Sequence, residues 1–341
     1  MPHLSPRICG LLLFLILLLS VPVGSPQTHP DPKLVEGAKR ERELIYYTTT
    51  TLDQSKQLVD RFEKKYPFIR TTLFRAGSGA LVNKILTEAS AGRYSWDVMG
   101  GGVEKVSRIT ERKLFASYRS SETQMIAREL VDKEGYWTAY YVTVYVLGWN
   151  NKLVKTEDVP RTYEALLNPK WKAGLLSLDS EAYSMLTGLK RIWGRDKAIA
   201  YFKRLAAQEP VVKRGNTERV QLLAAGEYPL IIGYSSGIQR MISMGAPIDW
   251  VALEPAVTQA APIRVGAKAP HPNAARLFVD FLLSKECQEM VRGFQRIPVR
   301  KDVEPDPARL FRGFKWLIVT AEESEETDAS MKEYTEIFKL R

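Results

Sequence analysis

Apolar and polar positions along the chain follow one repeated order: a short apolar run, a stretch of Thr, Ser, Gly or Asn, then apolar side chains at helical spacing. Leu44–Tyr47 form the first run and suit a buried parallel strand. Thr48–Thr51 follow, and Leu58, Val59, Phe62 and Tyr66 recur on one helix face. Thr51 with Gln54 has the spacing of a capping box. The order returns with Thr71–Arg75, the small-residue loop Ala76–Gly79 and a helix over Ala80–Ala91. It returns again with Trp96–Met99, the run Gly100–Gly102 and a helix from about Glu104. In the second half Gly174–Leu178 leads through Asp179–Ser180 into a helix bearing Tyr183, Leu186 and Leu189. Pro210–Lys213 leads through Arg214–Thr217 into a helix ending at Ala225, and Pro229–Gly233 through Tyr234–Ser236 into one ending at Met244. Asn273–Arg292 reads as a last amphipathic helix. Strand–loop–helix repetition of this kind predicts an α/β fold with helices packed on parallel sheets.

Between the two blocks lies Tyr140–Leu153, rich in Tyr and Val and closed by the turn-prone pair Asn150–Asn151. It predicts one strand of roughly 8–10 residues, long against a usual length of about 5–6. A long strand between two such blocks can belong to both, so it is read as the first crossing between two α/β lobes. The alternative is a central strand of one large sheet, because strand-like composition does not distinguish them. Trp250–Glu254 reads as the return crossing, which places hinges near Tyr141–Tyr145 and Ala252–Pro255. Residues 43–141 with 255–300 then make lobe 1 and residues 146–251 make lobe 2, while residues 301–341 form a partly helical segment without an assigned lobe.

At 341 residues the chain suits two ordinary domains, and 45% hydrophobic with 26% charged residues is the balance of a globular protein. The net charge of +10 is spread out, so it favours anions only weakly and offers no basic block for nucleic acid. Arg7, the apolar run Leu11–Leu19 and the small residues up to Ser25 describe a secretory signal over residues 1–25. The run is short of the roughly 20 residues that span a bilayer. Pro22 and Pro26 crowd the cleavage site, so removal and retention as an anchor both fit. Residues 26–42, Pro-rich at their start, read as a tether. Export of a monomer to the periplasm follows. Without the signal Cys287 is the one thiol, which allows no internal disulfide and reads as core.

Five of the loops follow a strand, carry neutral polar residues and open a helix. In open α/β sheets ligands bind outside the carboxyl ends of strands, and the first turn of a helix presents free N–H groups to anions. The candidates are Thr49, Thr50, Thr51, Ser78, Gly79 and Gly101 in lobe 1, and Ser180, Asn216 and Tyr234 in lobe 2. Tyr141 and Glu254, one from each crossing, complete the set, with Arg75 and Arg214 next to the loops as charged helpers.

One enzyme motif is present. Gly233–Gly237 matches G-x-S-x-G between a strand and a helix, and Asp249 and His271 follow Ser235 in hydrolase order. They follow too closely to leave room for the intervening elements, and His271 between two prolines reads as a turn residue. Gly77–Val82 starts like a dinucleotide loop but places Val82 where a small residue belongs. Outside the signal and tether there is one histidine, so a His-rich metal site is excluded on count. No cofactor and no catalysis are expected.

Taken in order, ELIYYTTTTLDQSKQLVDRFEKKYP, AGSGALVNKILTEASAGRYSWDV, the middle strand ending in GWNNKLV, GNTERVQLLAAGEYPLIIGY, and APHPNAARLFVDFLLSKECQ with IPVR resemble the extracellular solute-binding proteins of ABC transporters, in the branch that includes ferric-ion binders. The resemblance covers most of Leu44–Val299. It implies a type II periplasmic-binding-protein fold, two α/β lobes joined by hinge strands, and a solute captured in the cleft and delivered to a membrane permease and its ATPase. Ferric members place a histidine, a carboxylate and adjacent tyrosines where this chain has Thr51, Gly102 and Ser236–Gly237. Hard trivalent iron needs anionic oxygen ligands, which these do not supply. A small organic or phosphorylated anion is therefore the favoured solute, with ferric iron the first alternative and an exported serine hydrolase the second.

Overall fold

The computed structural model describes residues 30–102, 106–319 and 324–340. The signal segment and the start of the helix expected at Glu104 lie outside the described residues.

In lobe 1 the strands β1 (Glu43–Thr48), β2 (Arg70–Arg75) and β3 (Val98–Gly100) are parallel, with β1 between the other two. Helices α2 (Leu52–Lys65) and α3 (Ser78–Ser90) follow β1 and β2, close to the expected limits. The one-turn α4 (Ser107–Thr110) and the two-residue β4 (Phe115–Ala116) come after β3. Lobe 2 has β6 (Leu176–Asp179) between β7 (Val211–Lys213) and β8 (Leu230–Tyr234), again parallel. Its helices are α5 (Tyr183–Trp193), α6 (Arg195–Ala206), α7 (Asn216–Ala225) and α8 (Ser235–Ser243).

The joint is β5, a strand of 13 residues from Thr138 to Asn150, every one of them buried. Over Thr138–Val144 it pairs antiparallel with β10 (Ala256–Gly266). From Tyr145 it pairs instead with β8, and from Leu147 also with β9 (Ile248–Val251). The change of partner falls between Val144 and Tyr145, inside the span expected for the first hinge.

The return crossing differs from the sequence expectation. The strand read as Trp250–Glu254 ends at Val251 and pairs with β5 in lobe 2. The chain returns through Ala252–Pro255 and then the 11-residue β10, which the polarity pattern did not reveal. Gln259, Pro262 and Arg264 break the apolar run, and a proline inside a strand argues against one. The strand accommodates Pro262 at a register shift between Ala261 and Pro262, where its carbonyl accepts from the Gly101 N–H at 3.1 Å.

Two end segments also differ. Pro32–Glu41, inside the expected tether, is a helix, α1, capped by the Asp31 side chain. It buries Leu34, Gly37 and Ala38 against α9 (Pro272–Leu283). Three apolar or small positions on one face were too few to show against the Lys, Arg and Glu around them. The carboxyl-terminal segment joins both lobes. Its strand β11 (Trp316–Val319) runs parallel to β10, and α11 (Ser324–Ile337) packs on α5, where the Lys190 ammonium lies 2.9 Å from Glu333. The remaining helix, α10 (Lys285–Gly293), buries Cys287 completely, and that burial drives its thiol pKa up.

Helix α5 approaches the joint closely at Gly188. A Cβ there would lie 2.6 Å from Val257 Cγ1 on β10 and 3.2 Å from Val319. We expect Gly188→Val to lower the unfolding free energy by about 1–3 kcal/mol through overpacking, despite a better helix propensity. Urea denaturation measures it, and an unchanged midpoint would contradict the tight α5–β10 contact.

Candidate functional site

The carboxyl ends of the parallel strands in both lobes face one another across a cleft of about 560 Å³. Cavities that hold small molecules run from roughly 300 to 1,000 Å³. In lobe 1 the loop after β1 is tied to the loop after β3: Thr48 Oγ1 donates to the Gly100 carbonyl at 3.1 Å and Thr49 Oγ1 to that of Gly102 at 3.0 Å. Ser78 Oγ, at the start of α3, donates to the same Gly102 carbonyl at 3.2 Å. Gly101 serves this contact: its φ is +105°, and a Cβ would lie 2.2 Å from Thr49 Oγ1.

In lobe 2 the Asn216 side chain, at the start of α7, accepts from the Tyr234 N–H at 2.9 Å and so joins the openings of α7 and α8. The Tyr234 hydroxyl lies 3.3 Å from that of Tyr145 and donates to Gln259 Oε1 on β10, also at 3.3 Å. Gln259 Nε2 donates to Ser184 Oγ at 3.1 Å.

Charge at the cleft is unequal, with four arginines (Arg75, Arg214, Arg240 and Arg296) against Asp179 and Glu181. Arg296 donates through Nε to Gln54 Oε1 at 2.8 Å and lies over the Tyr141 ring at 4.1 Å from its centroid. Gln54 therefore orients an arginine and does not complete the expected capping box; the Thr51 side chain makes no cap hydrogen bond. Arg214 is 3.2 Å from Glu181 and reaches across to Gly77. Asp179 is held from behind by Arg219, which is 1% exposed and also donates to the carbonyls of Ser177 and Ile232. Two contacts at the rim join the lobes: Arg240 to Asp53 at 3.0 Å, and Gln295 to Ser243. Burial acts to raise the Asp53 pKa, but the Thr51 hydroxyl and the Arg240 guanidinium outweigh it and hold the carboxyl below its ordinary range.

Six of the sequence candidates line the cleft: Thr49, Thr51, Ser78, Tyr141, Asn216 and Tyr234. The others stand behind it or apart. Thr50 is buried, with its hydroxyl 2.6 Å from that of Tyr140. Gly79, Gly101 and Ser180 lie between or beside lining residues without lining the cleft themselves. Glu254 is exposed in the turn before β10, because the crossing lies further along the chain than expected. Thr51, Gly102, Ser236 and Gly237, the positions that the resemblance set against ferric ligands, all line the cleft.

Sequence reading missed Asp179, Glu181, Arg240, Gln259 and Arg296. The first two border the candidate Ser180. Arg240 follows Ser236 by one helical turn, so helix periodicity applied from the loop would have found it. Gln259 sat on the unrecognised strand, and Arg296 follows a helix end with no local signal.

The hydrolase constellation does not assemble. Ser235 is completely buried at the start of α8, and Asp249 is paired with Arg309 at 2.7 Å. His271 precedes α9 in lobe 1, its Nδ1 2.9 Å from Asp97, whose carboxylate also accepts from the Ile45 and His271 backbone N–H groups. Burial raises the Asp97 pKa. Among the described residues no group of three or more His, Cys, Asp or Glu could hold a metal ion.

The family model for bacterial extracellular solute-binding proteins matches residues 57–309. The chain belongs to this family. Among solved structures it is similar to the periplasmic binding protein AfuA from Actinobacillus pleuropneumoniae, with fructose-6-phosphate bound: 26% identity, TM-score 0.78, covering 88% of this chain and 99% of that one. Iron-bound HitA from Pseudomonas aeruginosa is 18% identical with a TM-score of 0.76, covering 86% and 99%, and shares the fold. Iron uptake protein A1 of Synechocystis sp. is 20% identical over 292 residues, 81% of this chain and 80% of its own. These are type II periplasmic binding proteins, a transport family, as the ordered sequence segments implied.

Removing Arg219 strands two buried carbonyls and the cleft carboxylate Asp179. We expect Arg219→Ala to lose about 3–5 kcal/mol of folding stability, measured by urea denaturation. A loss within the noise would mean that Asp179 is held by something else.

Proposed function

We propose that this chain captures a small phosphorylated and hydroxylated anion between its lobes and hands it to the membrane permease of an ABC importer. The observation that carries the reading is the surplus of arginines around a cleft whose other donors are neutral hydroxyls and helix N-termini. Helices α3, α7 and α8 all open at the cleft, where free N–H groups and the axial dipole favour negative charge. Arginine adds the planar, two-pronged donor geometry that fits phosphate oxygens. Asp179 and Glu181 then suit the hydroxyls of the same solute, since a carboxylate only accepts hydrogen bonds at neutral pH. The likeness to AfuA, whose structure holds fructose-6-phosphate, supports the same class.

Ferric iron is the second reading, because the phenol groups of Tyr145 and Tyr234 meet at 3.3 Å beside the cleft and several relatives are named for iron. With Asp179 and Glu181 paired to Arg219 and Arg214, two phenols make a poor shell for a hard trivalent ion unless a co-bound anion completes it.

Closure around the solute draws on an equilibrium between open and closed lobes, shifted by no more than the solute's preference for the closed state. Calorimetric titration with fructose 6-phosphate, inorganic phosphate and ferric citrate, with X-ray scattering on each mixture, separates the readings. Heat and compaction with a phosphate compound, and none with iron, are expected. A visible tyrosinate band with ferric citrate and no response to either phosphate would replace this reading with the ferric one.

A further inference from the structure

The cleft has two unlike ends. At one end stand Arg75, the α3 opening, Arg214 and Glu181. Charged and polar groups dominate this end, with Ala80 the one apolar side chain of the α3 opening in the lining, and Arg214 lies against Gly77 of the other lobe. At the other end Phe294, Met241 and Met244 line the wall beside the Arg296–Tyr141 stack. Phe294 and Met241 pack against the main core, while Met244, 69% exposed, stands at the rim. Two contacts at the rim between the lobes, Arg240 with Asp53 and Gln295 with Ser243, involve neighbours of these apolar residues on α8 and after α10. A group placed there is therefore removed from water when the lobes meet.

Neither phosphate nor sugar hydroxyls gain anything from two methionines and a phenylalanine. We propose that this end is a subsite for a flat aromatic ring, so that the preferred solute is an aryl or heteroaryl phosphate with its anion towards α3. The proposal rests on the anion reading above for the phosphate and on separate residues for the ring. A ring fits better than an alkyl chain for two reasons. Methionine sulfur makes favourable contacts with ring edges. A guanidinium that lies over the Tyr141 ring and lines the cleft is also a favourable partner for a second ring. Gln54 acts here as a positioning residue, because it fixes the rotation of the Arg296 plane through Nε.

Phenyl phosphate, fructose 6-phosphate and inorganic phosphate are titrated against the full chain, its Met241→Ser and Phe294→Ala variants, and Met244→Ser as a variant of an exposed residue that leaves folding intact. Phenyl phosphate is expected to bind wild type at least about tenfold more tightly than inorganic phosphate. Each variant is expected to lose much of that gain while binding of fructose 6-phosphate stays within about twofold. In parallel, carbon-13-labelled methionine methyl signals, assigned with the same variants, are followed on adding phenol or glycerol. Met241 and Met244 signals that move with phenol and not with glycerol support the ring subsite even if no phosphate binds, in which case the anion reading alone falls. Methyl signals indifferent to both phenol and phenyl phosphate overturn the subsite, as does equal loss of all three phosphates in the variants.

Discussion

Everything in this molecule depends on the backbone hydrogen bonding of one buried strand. Each N–H and C=O of β5 needs a partner because water does not reach it, and the strand finds them in β10 over its first half and in β8 and β9 over its second. The switch between Val144 and Tyr145 lets β5 link the parallel strands of the two lobes into one hydrogen-bonded path, in the order β2-β1-β3-β10-β5-β8-β6-β7. Two sheets joined in this way bring the carboxyl ends of their strands face to face. The cleft is thus a consequence of strand pairing, which brings the polar loops to one shared space.

Within the cleft the two lobes contribute different chemistry. Lobe 1 supplies a floor where Thr48, Thr49 and Ser78 tie the β1, β3 and α3 loops together and Gln54 accepts from Arg296, which lies over the Tyr141 ring. Lobe 2 supplies the carboxylates, with Asp179 backed by a buried arginine whose charge is offset within the same lobe. Charge and hydrogen bonding therefore shape the cleft, and contact between the lobes at the rim is a weaker addition. The Arg240–Asp53 pair is half exposed on both sides, which limits its worth to about 1 kcal/mol or less. A pair of that strength can bias closure without holding the lobes shut against an empty cleft.

The buried polar groups elsewhere are structural. Asp97 gathers three hydrogen bonds from β1 and from the start of α9, and Glu41 accepts from the first N–H groups of that helix. These fix the helix that covers lobe 1. They also account for His271, the single histidine among the described residues, whose ring and backbone N–H both meet Asp97 at the start of α9.

Local pattern determined the class of fold, the order of the elements and the loops that open helices at the cleft. Apolar periodicity and small polar residues are properties of neighbouring positions, so β1, α2, β2, α3 and the α7 and α8 openings were legible before any contact was known. The crossing strand was legible for the same reason: thirteen buried positions leave a long run rich in Tyr and Val. Tertiary structure alone decided the rest. Strand β10, interrupted by Gln259, Pro262 and Arg264, is a strand because β3 and β5 pair with it on either side. Helix α1 is ordered because α9 covers its three buried positions, Leu34, Gly37 and Ala38. Gln259 and Arg296 became cleft residues only when segments far apart in sequence met, since which side chains share a cavity is a property of pairing between strands and not of any single stretch.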